Sequence, residues 1–406
     1  MRQDLDRLMQ ERGLAGTVVL ANDRYSPAFH YVTGQKIHHG VYFRGADGRA
    51  HLIHDPMERD QAALVGCEHS SFAQHGYHKL VEAEGHPARG MGRLIAETCA
   101  TLGIRGKVAF FGEVGIGYAN TLIERALAAN ADLAVDHTWP DILSIARTTK
   151  SEDELAAIRH ASKGTVAAYD KLRAYLTRLK PEGDHFRQNG TNPVTLGDLR
   201  RVLNEEFVVH GLAEDGESIV SQGRDAGVPH NRGNDADRLR AGSPILVDIF
   251  PADPSGYHSD MTRTFCIGPA PAPLRELYDD VKRAFDEAMK AVTVGVPCRE
   301  PQEITQGVFE ARGHDTLRTK PGCEEGYVHG LGHGVGLSVH EPPRLGGPPS
   351  NTATVTPRMV LTVEPGLYYP SRGLGARIED LIYVRPDGTI ENLTPCSYEL
   401  EVKPRG

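Results

Sequence analysis

The sequence has no long apolar run. Its apolar stretches, such as residues 18–21 and 245–250, are only strand-sized, whereas a membrane-spanning helix needs about 20 apolar residues. The N-terminal residues MRQDLDRLMQERG have no apolar segment behind their first charges, so no secretory signal is expected. These absences exclude a membrane protein and favour a cytoplasmic one.

Blocks of positive charge and paired cysteine motifs are also missing. The 406 residues carry 45 basic and 54 acidic side chains, a net charge of −9, whereas nucleic-acid binders present a clustered positive surface. The six cysteines are scattered and form no C-x-x-C pair, which in a chain of this length is typical of reduced thiols in a cytoplasmic protein. We therefore expect no nucleic-acid partner.

Several familiar catalytic motifs are absent. No H-E-x-x-H occurs, because residues 340–344 read H-E-P-P-R, and no G-x-S-x-G occurs. The glycine-rich residues 330–336 lack the strand–turn–helix setting of a dinucleotide-binding loop. Three histidine pairs in the first third have no acidic residues arranged as partners, and we interpret them as surface or structural. They are His38 and His39, His51 and His54, and His75 and His78.

The pattern of elements changes near residue 147. Before it, apolar strand-like runs at 16–21 and 107–111 alternate with helical stretches, and residues 41–54 predict a hairpin that turns at an Asp-Gly pair. After it, Ser151 and Glu154 form a capping box that begins a long helix. We predict two domains, 1–147 of α/β type and 148–406 of α+β type with an antiparallel sheet.

The second domain is predicted to hold its helices and strands in blocks. Further helices are expected at residues 196–209 and 273–292, and strands at 244–250, 257–267, 359–368 and 375–384. Residues 181–193, PEGDHFRQNGTNP, are predicted to form a polar loop, and the sequence indicates no role for them.

Four carboxylates lie among the apolar residues of these strands. Asp248 lies inside ILVDIF, and Asp260 begins DMTRTF. Glu364 lies inside VLTVEPG, and Glu379 inside ARIEDLIYV. Unpaired buried charges are costly, and a pair of divalent metal ions would compensate them. His333 offers a nitrogen ligand, and its two glycine neighbours are expected to let the backbone bend there.

These residues and their contexts resemble the pita-bread metallopeptidases. The phrases that carry the resemblance are VDIFP, SDMTRT, HGLGHGVGLSVHE, TVEPG and RIED, with KSEDELAAIR at residues 150–159. The family comprises methionine aminopeptidase, aminopeptidase P and prolidase, with creatinase as a metal-free relative. The resemblance covers the whole chain. It implies an α/β creatinase-like N-terminal domain at 1–147 and an α+β pita-bread catalytic domain at 148–406 with a curved antiparallel sheet.

The resemblance implies two divalent metal ions per chain and a role for each ligand. Asp248 would bind one metal, and Asp260 and Glu379 would bridge both. His333 and Glu364 would complete the second metal, and Glu364 would also move the proton of a bridging water. Manganese, zinc, cobalt or iron would suit a site rich in oxygen with one imidazole.

Further residues are assigned by the same resemblance. His230, in VPHNRG, would assist the leaving group, and it joins Glu364 and His340 as the expected catalytic set. His329 and His340, which flank the ligand histidine, would contact the substrate. Arg377 lies two residues before Glu379, so on a strand it would face the same side and orient that carboxylate or the substrate.

The expected reaction is hydrolysis of the Xaa-Pro bond of dipeptides by a metal-bridging hydroxide. Two-domain members of this size are mostly Xaa-Pro peptidases, and Arg344 resembles an arginine with which prolidases hold the free carboxylate of a dipeptide. Aminopeptidase P activity on longer peptides stays open, as does metal-dependent lyase chemistry. Family relatives are commonly homodimers, so a homodimer with a small peptide substrate is expected.

One spacing departs from the family pattern. Asp248 and Asp260 are 12 residues apart, one residue more than in the commonest form. The loop PADPSG between them can absorb the extra residue if Gly256 allows a bulge or a tight bend. Otherwise the two aspartates would not both face the metals.

Overall fold

The computed structural model describes residues 2–188, 192–214 and 218–404. The chain divides into two compact units, Met1–Arg147 and Thr148–Gly406. Among the described residues, no helix combines the length and the apolar character that crossing a bilayer requires.

A mixed sheet of six strands lies at the centre of the first unit. In chain order, β1 to β6 are Gly16–Asn22, His39–Gly45, Ala50–His54, Glu68–Ser71, Gly106–Gly112 and Leu133–Val135. The strands lie in the order β4-β3-β2-β1-β5-β6. The β1–β2 and β2–β3 pairs are antiparallel, and the β1–β5, β3–β4 and β5–β6 pairs are parallel.

Helices accompany this sheet. From α1 to α7 they are Arg2–Glu11, Pro27–Thr33, Arg59–Ala63, Tyr77–Glu84, Pro87–Leu102, Ile116–Ala129 and Ile142–Ala146, with a 3₁₀ helix at Pro56–Glu58. The predicted hairpin forms from β2 and β3, and Gly48 in its turn has a φ of +82°, a value that glycine adopts at little cost. The α/β prediction for this unit is confirmed.

The second unit contains the remaining elements. Helices α8 to α11 are Glu152–Leu176, Leu196–Val209, Ala272–Ala291 and Glu300–Ala311, with 3₁₀ helices at Asp225–Gly227 and Pro370–Arg372. Strands β7 to β19 are Lys180–Glu182, His185–Arg187, Ile219–Gln222, Ile245–Ile249, Met261–Ile267, Gly332–Gly334, Glu341–Leu345, Val360–Val363, Gly366–Tyr369, Leu374–Arg377, Asp380–Val384, Ile390–Asn392 and Glu401–Val402. Helix α8 begins at the predicted capping box, in which Ser151 and Glu154 bond each other's backbone.

Two larger sheets and two ribbons make up the strand part of this unit. One sheet has the order β19-β11-β10-β9, the other β13-β12-β14-β17-β18, and the ribbons are β15-β16 and β7-β8. An antiparallel bridge between Thr262 and Glu379 links the two sheets. Most neighbouring strands are antiparallel, with β11 and β19 as a parallel pair. The predicted α+β class is confirmed.

The expected loop at residues 181–193 is wrong in part. The ribbon β7-β8 occupies its first half, and Phe186 is buried against the helices. The alternation of apolar and polar residues is too short here to predict a strand, because only one apolar residue of the ribbon enters the core. Residues 189–191 of this prediction lie outside the described part of the chain.

Three predicted strands are shorter than expected. The strand predicted at 257–267 begins only at Met261. The runs 359–368 and 375–384 are each interrupted, the first at Glu364 and Pro365 and the second at Ile378 and Glu379. Proline has no N–H for a ladder, which accounts for the first break. Three of the four carboxylates therefore lie beside strand ends rather than inside strands.

Candidate metal centre

The five predicted metal ligands meet at one place in the second unit. Asp248 lies in β10, Asp260 directly precedes β11 and His333 lies in β12. Glu364 follows β14, and Glu379 precedes β17. All five line one cavity of about 1400 Å³. The other predicted site residues line it too: His230, His329, His340, Arg344 and Arg377.

The register of β10 and β11 explains how both aspartates reach the cavity. Asp248 lies opposite Thr262, and opposite residues share a face of the sheet. Asp260 is two residues before Thr262, so it lies on the same face. The extra residue is taken up in a tight turn, in which Gly256 has a φ of +90° and donates to Asp253 O at 2.7 Å. The expectation that this loop absorbs the longer spacing is confirmed.

Candidate ligand atoms lie close together around His333. Its Nε2 is 3.3 Å from Glu364 Oε1 and 3.8 Å from Asp260 Oδ2. One ligand atom each from Asp260, His333 and Glu379 all lie within 4.8 Å of one another. His333 Nδ1 is 3.1 Å from Gly334 O, so Nδ1 can keep its proton while Nε2 serves as a ligand.

The glycines that flank His333 have a second reason besides the expected one. A Cβ on Gly332 would lie 2.1 Å from Thr362 O, and a Cβ on Gly334 would lie 2.3 Å from Pro342 O. Neither contact is possible for a real side chain, so the glycines let the backbones of β13 and β14 approach β12 closely. The register of β12 and β13 also shifts between His333 and Gly334, which agrees with the backbone irregularity expected there.

Without a cation, burial and mutual repulsion disfavour the ionised form of most of these carboxylates. Burial and neighbouring negative charge raise the pKa of Asp260 and of Glu379 well above their usual ranges. Burial also raises the pKa of Asp248, although Arg377 opposes it. Burial alone would raise the pKa of Glu364 as well, but the hydrogen bond and charge of His333 lower it to about 2. Buried carboxylates of this kind are compensated by metal ions or cations.

An unsatisfied oxygen supports the same conclusion. Among the described residues, Asp248 Oδ1 is buried and has no hydrogen-bond partner. Its other oxygen accepts a hydrogen bond from Arg377 Nη2. A buried acceptor without a donor is costly, whereas a metal ion would satisfy it. The donor set of carboxylate oxygens and one imidazole fits divalent metal ions.

Arg377 contacts a different carboxylate from the one that its position in the sequence suggested. Besides Asp248, it donates from Nε to Thr262 Oγ1 at 3.0 Å and from Nη1 to the Tyr368 hydroxyl at 2.9 Å. Thr262 Oγ1 in turn donates to Glu379 Oε2 at 2.6 Å. Arg377 therefore reaches Glu379 through Thr262, because β16 ends before Glu379 and the strand alternation does not continue.

Sequence reasoning did not identify Tyr368. Its hydroxyl lies 2.8 Å from His329 Nε2, and His329 Nδ1 lies 2.7 Å from Gly330 O. Both ring nitrogens of His329 are therefore engaged within the protein. Burial raises the pKa of Tyr368 to about 12, so its hydroxyl stays protonated. The run GLYY has no feature that separates this tyrosine from a core residue.

Three predicted residues stand at the cavity wall. The ring of His340 lies over His333, with 4.3 Å between ring centroids. Arg344 is the cross-strand partner of His333 in the β12–β13 pair, and its side chain is exposed. Among the described residues no carboxylate lies within ion-pair distance of Arg344. His230 is exposed and also lines the cavity, from the segment before β10.

Comparisons with known proteins find a matching family and several relatives. The pattern of metallopeptidase family M24 matches residues 156–386. The chain is 33% identical over 264 residues to the probable dipeptidase PepE of Mycobacterium tuberculosis, covering 65% of this chain and 63% of that protein. It is 32% identical over 264 residues to the Xaa-Pro dipeptidase of Pyrococcus furiosus, covering 64% and 67%. The match thus spans less than two thirds of the mycobacterial relative's length.

Solved structures share the fold over the whole chain. The prolidase from Pyrococcus horikoshii OT3 matches with a TM-score of 0.75 at 21% identity, covering 98% of this chain and 99% of that one. The X-Pro aminopeptidase from Thermotoga maritima MSB8 matches with a TM-score of 0.74 at 22% identity, covering 99% of both chains. The expected fold, an α/β domain followed by an α+β domain with a largely antiparallel sheet, is confirmed.

Proposed function

The chain belongs to metallopeptidase family M24, and from that membership we propose that it is a metal-dependent peptidase that hydrolyses the Xaa-Pro bond of dipeptides. One observation carries the proposal. Four carboxylates and His333 converge in a cavity whose wall presents Arg344, on the strand next to His333. In the part of the chain that the structure describes, Arg344 has no acidic partner. Catalytic and carboxylate-binding groups thus lie side by side.

Two divalent ions are the proposed cofactor. Asp248 would bind one ion, and His333 and Glu364 would bind the other. Asp260 and Glu379 would contribute to both. When bound, such ions polarise a carbonyl and lower the pKa of a water molecule towards neutrality. Manganese, zinc and cobalt all suit this donor set.

Glu364 is the proposed proton carrier. Its neighbour His333 holds the pKa of Glu364 below its usual range against the effect of burial. As an ionised carboxylate, Glu364 could accept a proton from the attacking water and pass it towards the leaving nitrogen. His230, at the cavity wall, would assist that departure. Burial in the cavity lowers the pKa of His340 to about 4. A neutral His340 ring would donate a hydrogen bond to the developing oxyanion.

The proposed recognition of dipeptides depends on Arg344. Its guanidinium can bind the free carboxylate of a C-terminal proline through two hydrogen bonds. Tyr368 holds Arg377 and His329, which also line the cavity. We propose that these two residues shape the site and contact the substrate. A homodimer in the cytoplasm is also proposed; the six free cysteines suit a reducing compartment.

A second candidate function has its own support. The cavity of about 1400 Å³ exceeds the several hundred Å³ that a small ligand fills, so longer peptides with proline second would fit. This observation favours an aminopeptidase P activity. A lyase activity on the same scaffold has no such support in the cavity.

A panel of substrates tests the proposal. The purified protein, loaded in turn with Mn²⁺, Co²⁺ and Zn²⁺, is given Ala-Pro, Leu-Pro, Ala-Pro-Gly and Ala-Ala, and released amino acids are measured. We expect kcat/KM for the two Xaa-Pro dipeptides to exceed that for the tripeptide by at least about tenfold, with Ala-Ala slowest. Faster tripeptide cleavage would establish the aminopeptidase instead, and no cleavage of any peptide would contradict both.

A further inference from the structure

A buried ion pair joins the beginning of the second unit to the strand beside the metal centre. Lys150 Nζ lies 3.0 Å from Glu341 Oε2, and the two side chains are only 1% and 2% exposed. Taking two charges out of water costs about as much as their attraction returns. Such a pair contributes little net stability, but it can select one geometry.

The Glu341 carboxylate lies inside the turn before β13. Its Oε1 accepts a hydrogen bond from the backbone N–H of Ser338 at 3.1 Å. A Cβ on Gly336 would lie 2.5 Å from Oε2, so only glycine leaves room for the carboxylate there. The Glu341 carboxylate therefore closes the turn at 336–341 by binding the Ser338 amide.

Lys150 itself is fixed by its backbone. Its N–H donates to Arg358 O at 2.8 Å, and Thr149 bridges to Met359. Residue 359 leads directly into β14, whose end carries Glu364. The backbone of Lys150 is thus fixed relative to the sheet that holds or adjoins three of the candidate metal ligands, His333, Glu364 and Glu379.

His340 lies in this turn, between the buried pair and the metal centre. Its ring is 4.3 Å from that of His333, and the next residue along the chain is Glu341. We propose that Lys150 is a positioning residue: through Glu341 it fixes the turn at 336–341 and thereby holds His340 over the metal centre. This inference rests on the proposed function, in which His340 donates to the oxyanion.

The first test replaces Lys150 by methionine, which keeps the stem and removes the charge. We expect kcat of the metal-loaded enzyme for Ala-Pro to fall about 10- to 100-fold, because catalysis is sensitive to displacements of about 1 Å. KM should change little, because the lost interaction is made only in the transition state. The control, Lys171→Met, removes the half-buried Lys171–Glu206 pair, which lies outside the cavity lining, and should leave kcat unchanged.

A double-mutant cycle separates positioning from a general structural effect. If Lys150 acts through His340, Lys150→Met should cause no further loss of kcat in a His340→Ala background. Equal losses in both backgrounds would overturn the inference. If Lys150→Met does not fold, the charge-free pair Lys150→Met/Glu341→Leu replaces it, since apolar pairs of similar volume are tolerated. Its kcat should also be low, and a wild-type kcat would overturn the inference.

A readout independent of activity keeps this inference apart from the proposed function. Hydrogen exchange of the Ser338 amide should be faster in Lys150→Met than in the wild type, because the acceptor Glu341 is released. Unchanged exchange would overturn the positioning role whatever the activity. If the Ser338 amide exchanges faster in Lys150→Met than in the wild type, but the wild type cleaves no peptide, only the proposed function is contradicted.

Discussion

Single residues at the metal centre interact in a setting where water screens little. Arg377 compensates Asp248, but burial and mutual repulsion still raise the pKa values of Asp260 and Glu379. The arginine therefore neutralises part of the site and leaves a remainder that only added cations can balance. Arg344, by contrast, is exposed and has no acidic partner among the described residues, so its charge is available to a ligand.

Replacing Arg344 by alanine should raise KM for Ala-Pro about 10- to 100-fold. This factor corresponds to the free energy that a pair of charge-assisted hydrogen bonds contributes to binding. KM for Ala-Pro-Gly should rise less, because its proline has no free carboxylate. Arg275→Ala is the control, since this exposed arginine pairs with Glu401 away from the cavity. Steady-state kinetics measures both values. An unchanged KM for Ala-Pro would remove the argument for a dipeptidase.

A buried histidine in the first unit should make stability depend on pH. Burial lowers the pKa of His30 from 6.5 to about 4. The unfolded chain therefore binds more protons between these values, and the free energy of unfolding falls as the pH drops from 6.5 towards 4. Between pH 7 and 4.5 the loss should be about 2–3 kcal/mol.

Urea unfolding at pH 7 and 4.5 checks this prediction. His30→Gln should lose that part of the pH dependence, whereas His78→Gln, at an exposed position, should keep it. Equal pH dependence in the wild type and His30→Gln would contradict the assignment.

At the scale of secondary-structure elements, β12 is a tightly enclosed strand. It has only three residues, Gly332–Gly334, between β13 and β14. Both its glycines lie where backbone carbonyls of the neighbouring strands leave no room for a Cβ. A short strand without its own side chains, apart from His333, can thus hold a ligand deep in the sheet.

Gly332→Ala should displace His333 and weaken metal binding. The added Cβ would lie 2.1 Å from Thr362 O, so β12 has to shift. We expect a loss of about 1–3 kcal/mol of stability and a fall in metal affinity of about 10- to 100-fold. Isothermal titration with Mn²⁺ measures the affinity. The matched control is Gly330→Ala, whose Cβ would have 3.7 Å to Leu345 O; similar affinities for the two variants would contradict this account.

For the molecule as a whole, the metal centre concentrates negative charge inside one of two compact units. Folding without metal has to bring buried carboxylates together, and their raised pKa values record that cost. Metal binding to the folded state should offset this cost in folding free energy. Metal loading and folding stability are therefore linked in the second unit.

Removing the metal with EDTA should lower the melting temperature of the second unit, and Mn²⁺ should restore it. At 100 times Kd the stabilisation is about 3 kcal/mol. Asp260→Asn, which removes one carboxylate of the candidate metal centre, should reduce this shift, whereas Asp387→Asn in an exposed turn should not. Differential scanning calorimetry measures the shift. A melting profile that does not respond to metal would contradict the linkage.

The sequence by itself was sufficient for the features that depend on local pattern. The capping box of α8, the hairpin of β2 and β3 and the position of the four carboxylates among apolar residues are all set within a few neighbouring residues. Resemblance of the motifs then sufficed for the fold class and for ten of the residues that line the cavity.

Only the tertiary structure decided which side chains meet. Tyr368 and Lys150 appear ordinary in the sequence, yet the first bonds both His329 and Arg377, and the second pairs with Glu341 from 191 residues away. The break beside Glu379 likewise depends on how two sheets join, through the bridge between Thr262 and Glu379. Propensity and periodicity act over a few residues, whereas these contacts depend on register between distant strands, which no local pattern encodes.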